Sequence, residues 1–121
     1  KPLMHFPHVQ FLATEMDVLL QAMDHALRCT ALDREASPLW DRDAMVEVWR
    51  TKHFVTTNAV LVVEKAMSTI GGGGYFRKSP LERLYRSVRA GEFHPLSWPD
   101  LAAYAGKLAF DIDPHVEPRY W

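Results

Sequence analysis

Apolar residues recur at spacings of three and four along the first third of the chain. The repeat covers residues 6–35, and most charged residues of this stretch fall outside it, as one buried stripe of a helix requires. The stripe consists of Val9, Leu12, Met16, Leu19, Leu20, Met23, Leu27 and either Thr30 or Ala31. Because the residue before a proline avoids the helical region, Ser37-Pro38 is expected to end this long amphipathic helix.

A second stripe with the same period begins after Asp41 and continues to Ile70. Asp41 is a good N-cap residue, and roughly 30 helical residues rising ~1.5 Å each give a helix of ~45 Å. The β-branched run from Val60 to Val63 is typical of a strand, but the helical period around it favours a helix. Lys52 lies on the apolar stripe. Either its stem packs while its ammonium reaches water, or its charge is held against a partner or ligand.

Two shorter helices are predicted in the last third of the chain. Ser79-Pro80-Leu81-Glu82 offers a cap, a proline at the first helical position and a glutamate placed to close a capping box. This helix runs to about Ala90, and Gly91 is expected to end it. Ser97-Trp98-Pro99-Asp100 repeats the start signal and predicts a final helix to about Phe110.

These elements predict an all-α fold, an antiparallel helical bundle with short loops. Residues 113–121 are broken by prolines and are expected to be extended, with Tyr120 and Trp121 in need of a packing surface. Two very long helices and two short ones do not match in length, so a closed bundle needs one more long helix. We expect residues 1–121 to form a single domain that lacks its first helix and is a fragment of a longer chain.

Composition and charge exclude several classes of partner. Lysine and arginine number 14 against 15 aspartates and glutamates, so no nucleic acid or anionic membrane is expected as a partner. No apolar run approaches the ~20 residues of a membrane span. The single cysteine, Cys29, fits a reducing cytoplasmic compartment. The six histidines form no i, i+4 pair with a third carboxylate ligand, so no metal site is predicted.

Residues 68–75, with the sequence Ser-Thr-Ile-Gly-Gly-Gly-Gly-Tyr, end the second long helix. Glycine is common just past a helix C-terminus because it tolerates positive φ. Four glycines also allow another backbone or a ligand to approach closely. The stretch is therefore either a helix stop with a flexible turn or a backbone cradle for an anionic ligand, such as a pyrophosphate supplied across an interface.

The segment from Ala66 to Tyr75, followed by Pro80-Leu81-Glu82-Arg83, resembles the C-terminal domain of acyl-CoA dehydrogenases. That family pairs a Gly-Gly-x-Gly-Tyr turn with a proline-led capped helix, and the pairing is more specific than either half. The first residues, from Lys1 to Met16, resemble the helix that follows the family's Arg-x-x-Phe-Gly segment. The resemblance covers nearly the whole chain and implies a helical bundle whose first helix lies before residue 1.

The resemblance also implies a cofactor, a substrate and partners. In the family, FAD is bound mainly by a neighbouring subunit of a tetramer, so a homo-oligomer or a mixed tetramer is implied. By position, the flavin contacts fall on Ser68, Thr69, Ile70, Gly71 and Gly72. A glutamate of such enzymes removes the α-proton of an acyl-CoA thioester, and hydride passes from the β-carbon to the flavin. The implied function is α,β-dehydrogenation of acyl-CoA in fatty acid metabolism.

Some positions depart from the family's pattern. The glutamine of the glycine motif is Ser68 here, and the commonest position of the catalytic glutamate holds Pro95, which cannot act as a base. Glu92 and His94, the nearest titratable residues, are interpreted as solvated loop residues, so no catalytic residue is assigned. Two alternatives therefore stay open. One is a flavin-dependent monooxygenase of the same superfamily, which dispenses with the glutamate, and the other is a helical interaction module without a cofactor.

Overall fold

The computed structural model describes residues 1–115. It contains four α-helices, α1 (Pro7–Ala36), α2 (Arg42–Ile70), α3 (Pro80–Phe93) and α4 (Trp98–Ala109). Short 3₁₀ helices precede α1 at Leu3–His5 and follow α2 at Gly71–Tyr75. Residues 1–115 include no strand, and the predicted all-α fold is confirmed. The predicted extended tail falls mostly outside the described residues, and Tyr120 and Trp121 lie wholly outside them.

The start of α2 is set by Asp41, as predicted. Its Oδ1 accepts a hydrogen bond from the backbone N–H of Ala44 at 2.8 Å, which satisfies one of the donors that a helix N-terminus leaves free. From there α2 continues for 29 residues without a glycine or proline. The β-branched run lies inside this helix, and Val60 and Val63 are buried in it. The helical period was therefore the correct guide to this segment.

The start of α3 follows the prediction only in part. The Ser79 hydroxyl accepts a hydrogen bond from the Leu81 N–H at 3.2 Å. The predicted capping box is wrong, because the Ser79 N–H donates to the Phe76 carbonyl and is no longer available to Glu82. Glu82 instead pairs with Arg86 one turn later, at 2.8 Å.

Gly91 does not end α3, contrary to the prediction, and the helix continues to Phe93. Gly91 lies where α3 approaches α2. A Cβ placed on it would come within 2.7 Å of Thr56 Cγ2 and 3.0 Å of Thr56 Cβ. The missing side chain therefore permits close packing of two helices. Glycine serves both at helix ends and at close approaches, so the sequence alone could not separate the two roles.

Gly91→Ala is expected to lower the free energy of unfolding by about 1 kcal/mol. Overpacking costs ~1–3 kcal/mol, whereas replacing a helix glycine by alanine returns only ~1 kcal/mol. Thr56→Ser removes the methyl group that lies nearest to the added Cβ, so Gly91→Ala should cost less stability in the Thr56→Ser background than in wild type. Chemical denaturation of the four proteins measures this cycle. A Gly91→Ala protein as stable as wild type would show that the two helices do not need this close contact.

Helix α2 is the centre of the fold. Helix α1 packs along one side of it, and α3 and α4 also make their main contacts with it. At the α4 contact, Trp49 meets Tyr104 edge to face with ring centroids 5.4 Å apart. The buried apolar residues are Val9, Met23, Ala44, Val46, Val60, Val63, Leu101 and Tyr104. They come from α1, α2 and α4, which places the core around α2.

Part of the apolar surface of α1 remains uncovered. Leu20 and Leu27, both predicted to be buried, are half exposed in the structure. Phe11 and Val18 are 65% and 61% exposed and line an apolar groove of about 390 Å³ between α1 and α2, together with Leu61. The helix was therefore predicted correctly, whereas the burial of its stripe was overestimated.

Candidate functional site

The glycine turn at the end of α2 begins with a conformation that favours glycine. Gly71 has φ +69°, and its N–H donates to the Met67 carbonyl, which caps the helix. Side chains rarely adopt positive φ, so this position accounts for one glycine by backbone conformation alone. The predicted helix stop is confirmed at Gly71.

The other glycines of the turn serve different purposes. Gly74 is buried, and a Cβ on it would lie 3.4 Å from the Met67 Cα, so it packs closely against α2. A Cβ on Gly73 would come within 3.3 Å of Ile70 Cγ2. Gly72 is exposed, its φ is not positive, and a Cβ there would meet nothing within 4 Å. Nothing among residues 1–115 therefore requires a glycine at position 72.

The polar side chains before the turn are engaged within the helix. The hydroxyls of Ser68 and Thr69 donate to the carbonyls of Glu64 and Lys65, both at 2.9 Å. Each hydroxyl oxygen keeps acceptor capacity, but its donor is already used. Ile70 is 51% exposed beside them. Of the predicted positions 68–72, Thr69 is half-buried and the other four are exposed at the end of α2.

Aromatic and basic side chains border the exit of the turn. Tyr75 and Phe76 are 79% and 65% exposed, with ring centroids 6.1 Å apart. They line an open cleft of about 430 Å³ together with Arg77 and Arg86. Arg86 is paired with Glu82. Glu82 also lines the cleft, so within residues 1–115 Arg77 supplies its unpaired positive charge. The aromatic faces can stack on a planar ring, and the Arg77 charge favours an anionic group beside it.

The loop between α3 and α4 holds Pro95, which is exposed. Glu92 lies in the last turn of α3 and not in the loop, and its carboxylate is paired with Arg89 at 3.3 Å. His94 is exposed, and its Nδ1 lies 3.1 Å from the Pro95 carbonyl oxygen. Both titratable side chains are thus engaged by immediate neighbours. The structure identifies no catalytic base among them.

Lys52 is held by this loop. Its Nζ donates to the Leu96 carbonyl at 2.7 Å and also to the His94 carbonyl. The ammonium thus binds the chain's own loop, an arrangement that neither of the two interpretations included. Sequence reasoning identified Lys52 as unusual but could not find its partners, which lie more than 40 residues further along the chain.

His53 was not identified from the sequence. Its ring stacks on Trp98 with centroids 3.7 Å apart and an angle of 14° between the planes. Together with Lys52 the two rings line a cavity of about 230 Å³ beneath the loop, which Leu96 and Leu101 also border. The only sequence signal was the tryptophan that opens α4, and nothing in the pattern connected it to α2.

Two further properties concern metals and membranes. In residues 1–115, no three side chains of histidine, cysteine, aspartate or glutamate come together in a way that could hold a metal ion. In the same part of the chain, no helix combines the length and the apolar character needed to cross a membrane.

Comparisons with known proteins give several related sequences. Amino sugar nitrososynthase DnmZ of Streptomyces peucetius is 34% identical over 110 residues, covering 84% of this chain and 27% of that protein. Putative acyl-CoA dehydrogenase YdbM of Bacillus subtilis is 36% identical over 94 residues, or 78% and 24% of the two chains. A mitochondrial isobutyryl-CoA dehydrogenase of Dictyostelium discoideum is 32% identical over 89 residues, or 74% and 21%. No solved structure gives a significant match.

These relatives are much longer than the chain, which spans about a quarter of their length. The sequence pattern of one family, described as the acyl-CoA dehydrogenase C-terminal domain, matches residues 1–94 of the 121. The matched part contains α1, α2, the glycine turn and α3. The match covers most of the chain and agrees with the all-helical fold, so the chain belongs to the acyl-CoA dehydrogenase C-terminal domain family.

Proposed function

We propose that residues 1–121 form the C-terminal helical domain of an FAD-dependent oxidoreductase that dehydrogenates acyl-CoA thioesters. In this proposal residues 68–72 contact an FAD that is bound mainly by a neighbouring subunit. The observation that carries it is Gly72, since neither its φ nor any nearby atom in the described chain requires a glycine there. A position kept free of a side chain suits close approach by a group from outside the domain.

The residues of the turn fit such a cofactor. Gly71 and Gly72 leave the backbone open, and Ile70 adds exposed apolar surface beside them. The Ser68 oxygen can still accept a hydrogen bond, and Arg77 contributes positive charge nearby. When bound, FAD supplies the hydride acceptor, and the role of these residues is to bind and orient it.

The substrate, partners and compartment of the full-length protein follow from the same proposal. The substrate is an acyl-CoA, and the assembly is a homo-oligomer or a mixed tetramer. A cytoplasmic location agrees with the single cysteine, Cys29, which is an exposed free thiol.

A flavin-dependent monooxygenase of the same superfamily is the second candidate. It is favoured by Pro95, which leaves this loop without a base for carbon deprotonation. It is also favoured by the similarity to a protein named as an amino sugar nitrososynthase, since formation of a nitroso group oxidises nitrogen and not carbon.

Two measurements on the full-length protein separate the candidates. Flavin absorbance after purification is expected for both enzymes, and its absence would leave a helical interaction module without a cofactor. Bleaching of that absorbance by acyl-CoA thioesters under anaerobic conditions is expected for the dehydrogenase. A flavin that acyl-CoA does not bleach would favour the monooxygenase.

The isolated 121-residue chain is expected to show no acyl-CoA dehydrogenation. It holds no plausible base and only one edge of a flavin site, and an enzyme needs both the base and the hydride acceptor in place. The assay uses added FAD and an artificial electron acceptor, with buffer as the control. Turnover above the buffer level would contradict the interpretation that this chain contains no catalytic base.

A further inference from the structure

One helical turn of α2 holds both ends of the α3–α4 connection. Lys52, His53 and Thr56 contact that connection, and we call these three residues the clasp. Thr56 packs against Gly91 near the end of α3, and His53 stacks on Trp98 at the start of α4. Lys52 binds the loop between them. The conformation of the loop is thus set from α2.

The contact of Lys52 is the polar part of the clasp. A lysine ammonium has three donors, and two of them go to the carbonyls of His94 and Leu96, which flank Pro95. Within the described residues, its charge is met by these carbonyl oxygens and not by a carboxylate. Hydrogen bonds from a charged donor are roughly twice as strong as neutral ones. One side chain therefore binds the carbonyl groups of the two residues that flank Pro95.

The position of this loop gives the contact a functional meaning. Pro95 stands where the family's catalytic glutamate is most often found, so under the proposed function the loop borders the reacting part of the substrate. A loop that borders the reacting atoms must be held firmly in place, because small displacements of the groups that position a substrate strongly reduce the reaction rate. Lys52 itself lies behind the loop, on α2, and reaches the site only through it.

We propose that Lys52 is a positioning residue that fixes the Pro95 loop against the bound substrate. The proposal rests on the proposed function, since it needs an active site at this loop. It does not require Lys52 to touch substrate or flavin. Loss of the ammonium should release the loop and misplace Pro95, while the glycine turn at the far end of α2 keeps its flavin.

The first part of the test measures the loop directly in the full-length protein. Lys52→Met keeps the apolar stem but removes both hydrogen bonds, so amide hydrogen exchange in residues 94–101 should accelerate on the order of tenfold. Lys65→Met is the matched control. It removes a lysine from the same helix and breaks an ion pair with Glu15, but lies ~20 Å away along α2. The control should leave exchange in residues 94–101 unchanged.

The second part measures function in the same variants. With Lys52→Met, flavin content should equal that of wild type, while kcat/KM with straight-chain acyl-CoA thioesters should fall about tenfold or more. Lys52→Arg can donate to both carbonyls and should recover most of the loss. A merely stabilising lysine would lower flavin content and protein yield together, without a selective change in kcat/KM.

The outcomes separate the two proposals. Unchanged loop exchange in Lys52→Met would overturn the clasp, and accelerated exchange with unchanged kcat and KM would overturn the positioning role. A wild-type protein without flavin, or with a flavin that acyl-CoA does not bleach, would overturn the proposed function and with it the catalytic role of the loop. In that case the exchange result still decides whether Lys52 holds the loop.

Discussion

Gly72→Val is expected to strip most of the flavin from the full-length protein while leaving its stability nearly unchanged. A Cβ at this position meets nothing within 4 Å in its own domain, and the residue does not have to adopt positive φ. The clash is therefore expected with a group that approaches from outside the domain. Overpacking of ~1–3 kcal/mol corresponds to about 5- to 150-fold weaker binding, since ~1.4 kcal/mol is tenfold. The ratio of flavin to protein absorbance after gel filtration measures the effect.

A second glycine supplies the control for this variant. Gly106 lies in α4, and a Cβ on it also meets nothing within 4 Å, so Gly106→Val tests the general effect of an added valine. It should retain flavin at the wild-type level. Gly71→Val is unsuitable because its φ of +69° would strain the turn itself. If Gly72→Val keeps its flavin, the turn is only a helix stop, and the proposed contact at residues 68–72 is wrong.

The isolated 121-residue chain is expected to form dimers or higher oligomers at micromolar concentration. Helices α3 and α4 have 14 and 12 residues and are too short to cover a ~45 Å helix. Phe11, Val18 and Leu61 consequently line an open apolar groove. Monomers rarely expose apolar patches above a few hundred Å². Covering about 800 Å² at ~25 cal/mol per Å² would contribute ~20 kcal/mol before the costs of association. Static light scattering measures the resulting mass.

Two phenylalanine variants locate the surface that associates. Phe11→Lys places a charge in the groove and should shift the chain toward monomer. Phe110→Lys changes another exposed phenylalanine, which is 80% exposed at the end of α4 and lies outside the groove, and should leave the mass unchanged. A monodisperse wild-type monomer would show that the chain closes its own core. The inference of a missing long helix would then be wrong.

The helices were predictable because their signals are local. The first helix was predicted at 6–35 and lies at Pro7–Ala36, since periodicity and a following proline act within a few residues of each other. The Asp41 cap and the Gly71 stop were also predictable, as each depends on hydrogen bonds inside one helical turn. The prediction of the capping box was wrong because the Ser79 N–H donates its hydrogen bond to the carbonyl of Phe76, which lies outside the motif.

Contacts between helices were not predictable from these patterns. The role of Gly91 depends on where Thr56 stands on another helix, and the partners of Lys52 depend on the path of a loop more than 40 residues away. A stripe shows which side of a helix is apolar, but not which neighbour covers it or how much. For this reason Leu20 and Leu27 were expected to be buried and are half exposed.

The turn that carries the candidate site was predictable from the sequence, but the role of each glycine was not. The glycine run indicated a turn with room for a ligand, and the structure confirms the turn. Only the coordinates distinguish Gly71, fixed by conformation, from Gly74, fixed by packing, and from Gly72, which neither reason explains. These roles depend on distances of a few ångströms to neighbouring atoms such as the Met67 backbone. All of these positions are glycine, so the sequence alone does not distinguish their roles.

The unbroken course of α2 has a consequence for how this domain can change during evolution. Lys52 lies within α2, and Gly71, 19 residues later, ends it. The helix contains no glycine or proline. Inserting or deleting one residue between them would rotate the glycine turn by about 100° relative to the α3–α4 loop and shift it by ~1.5 Å. Substitutions inside this stretch can be absorbed locally, but a change of length would break the alignment of both surfaces at once. Length variation is therefore better tolerated at the α1–α2 connection, residues 37–41, which lies outside this segment.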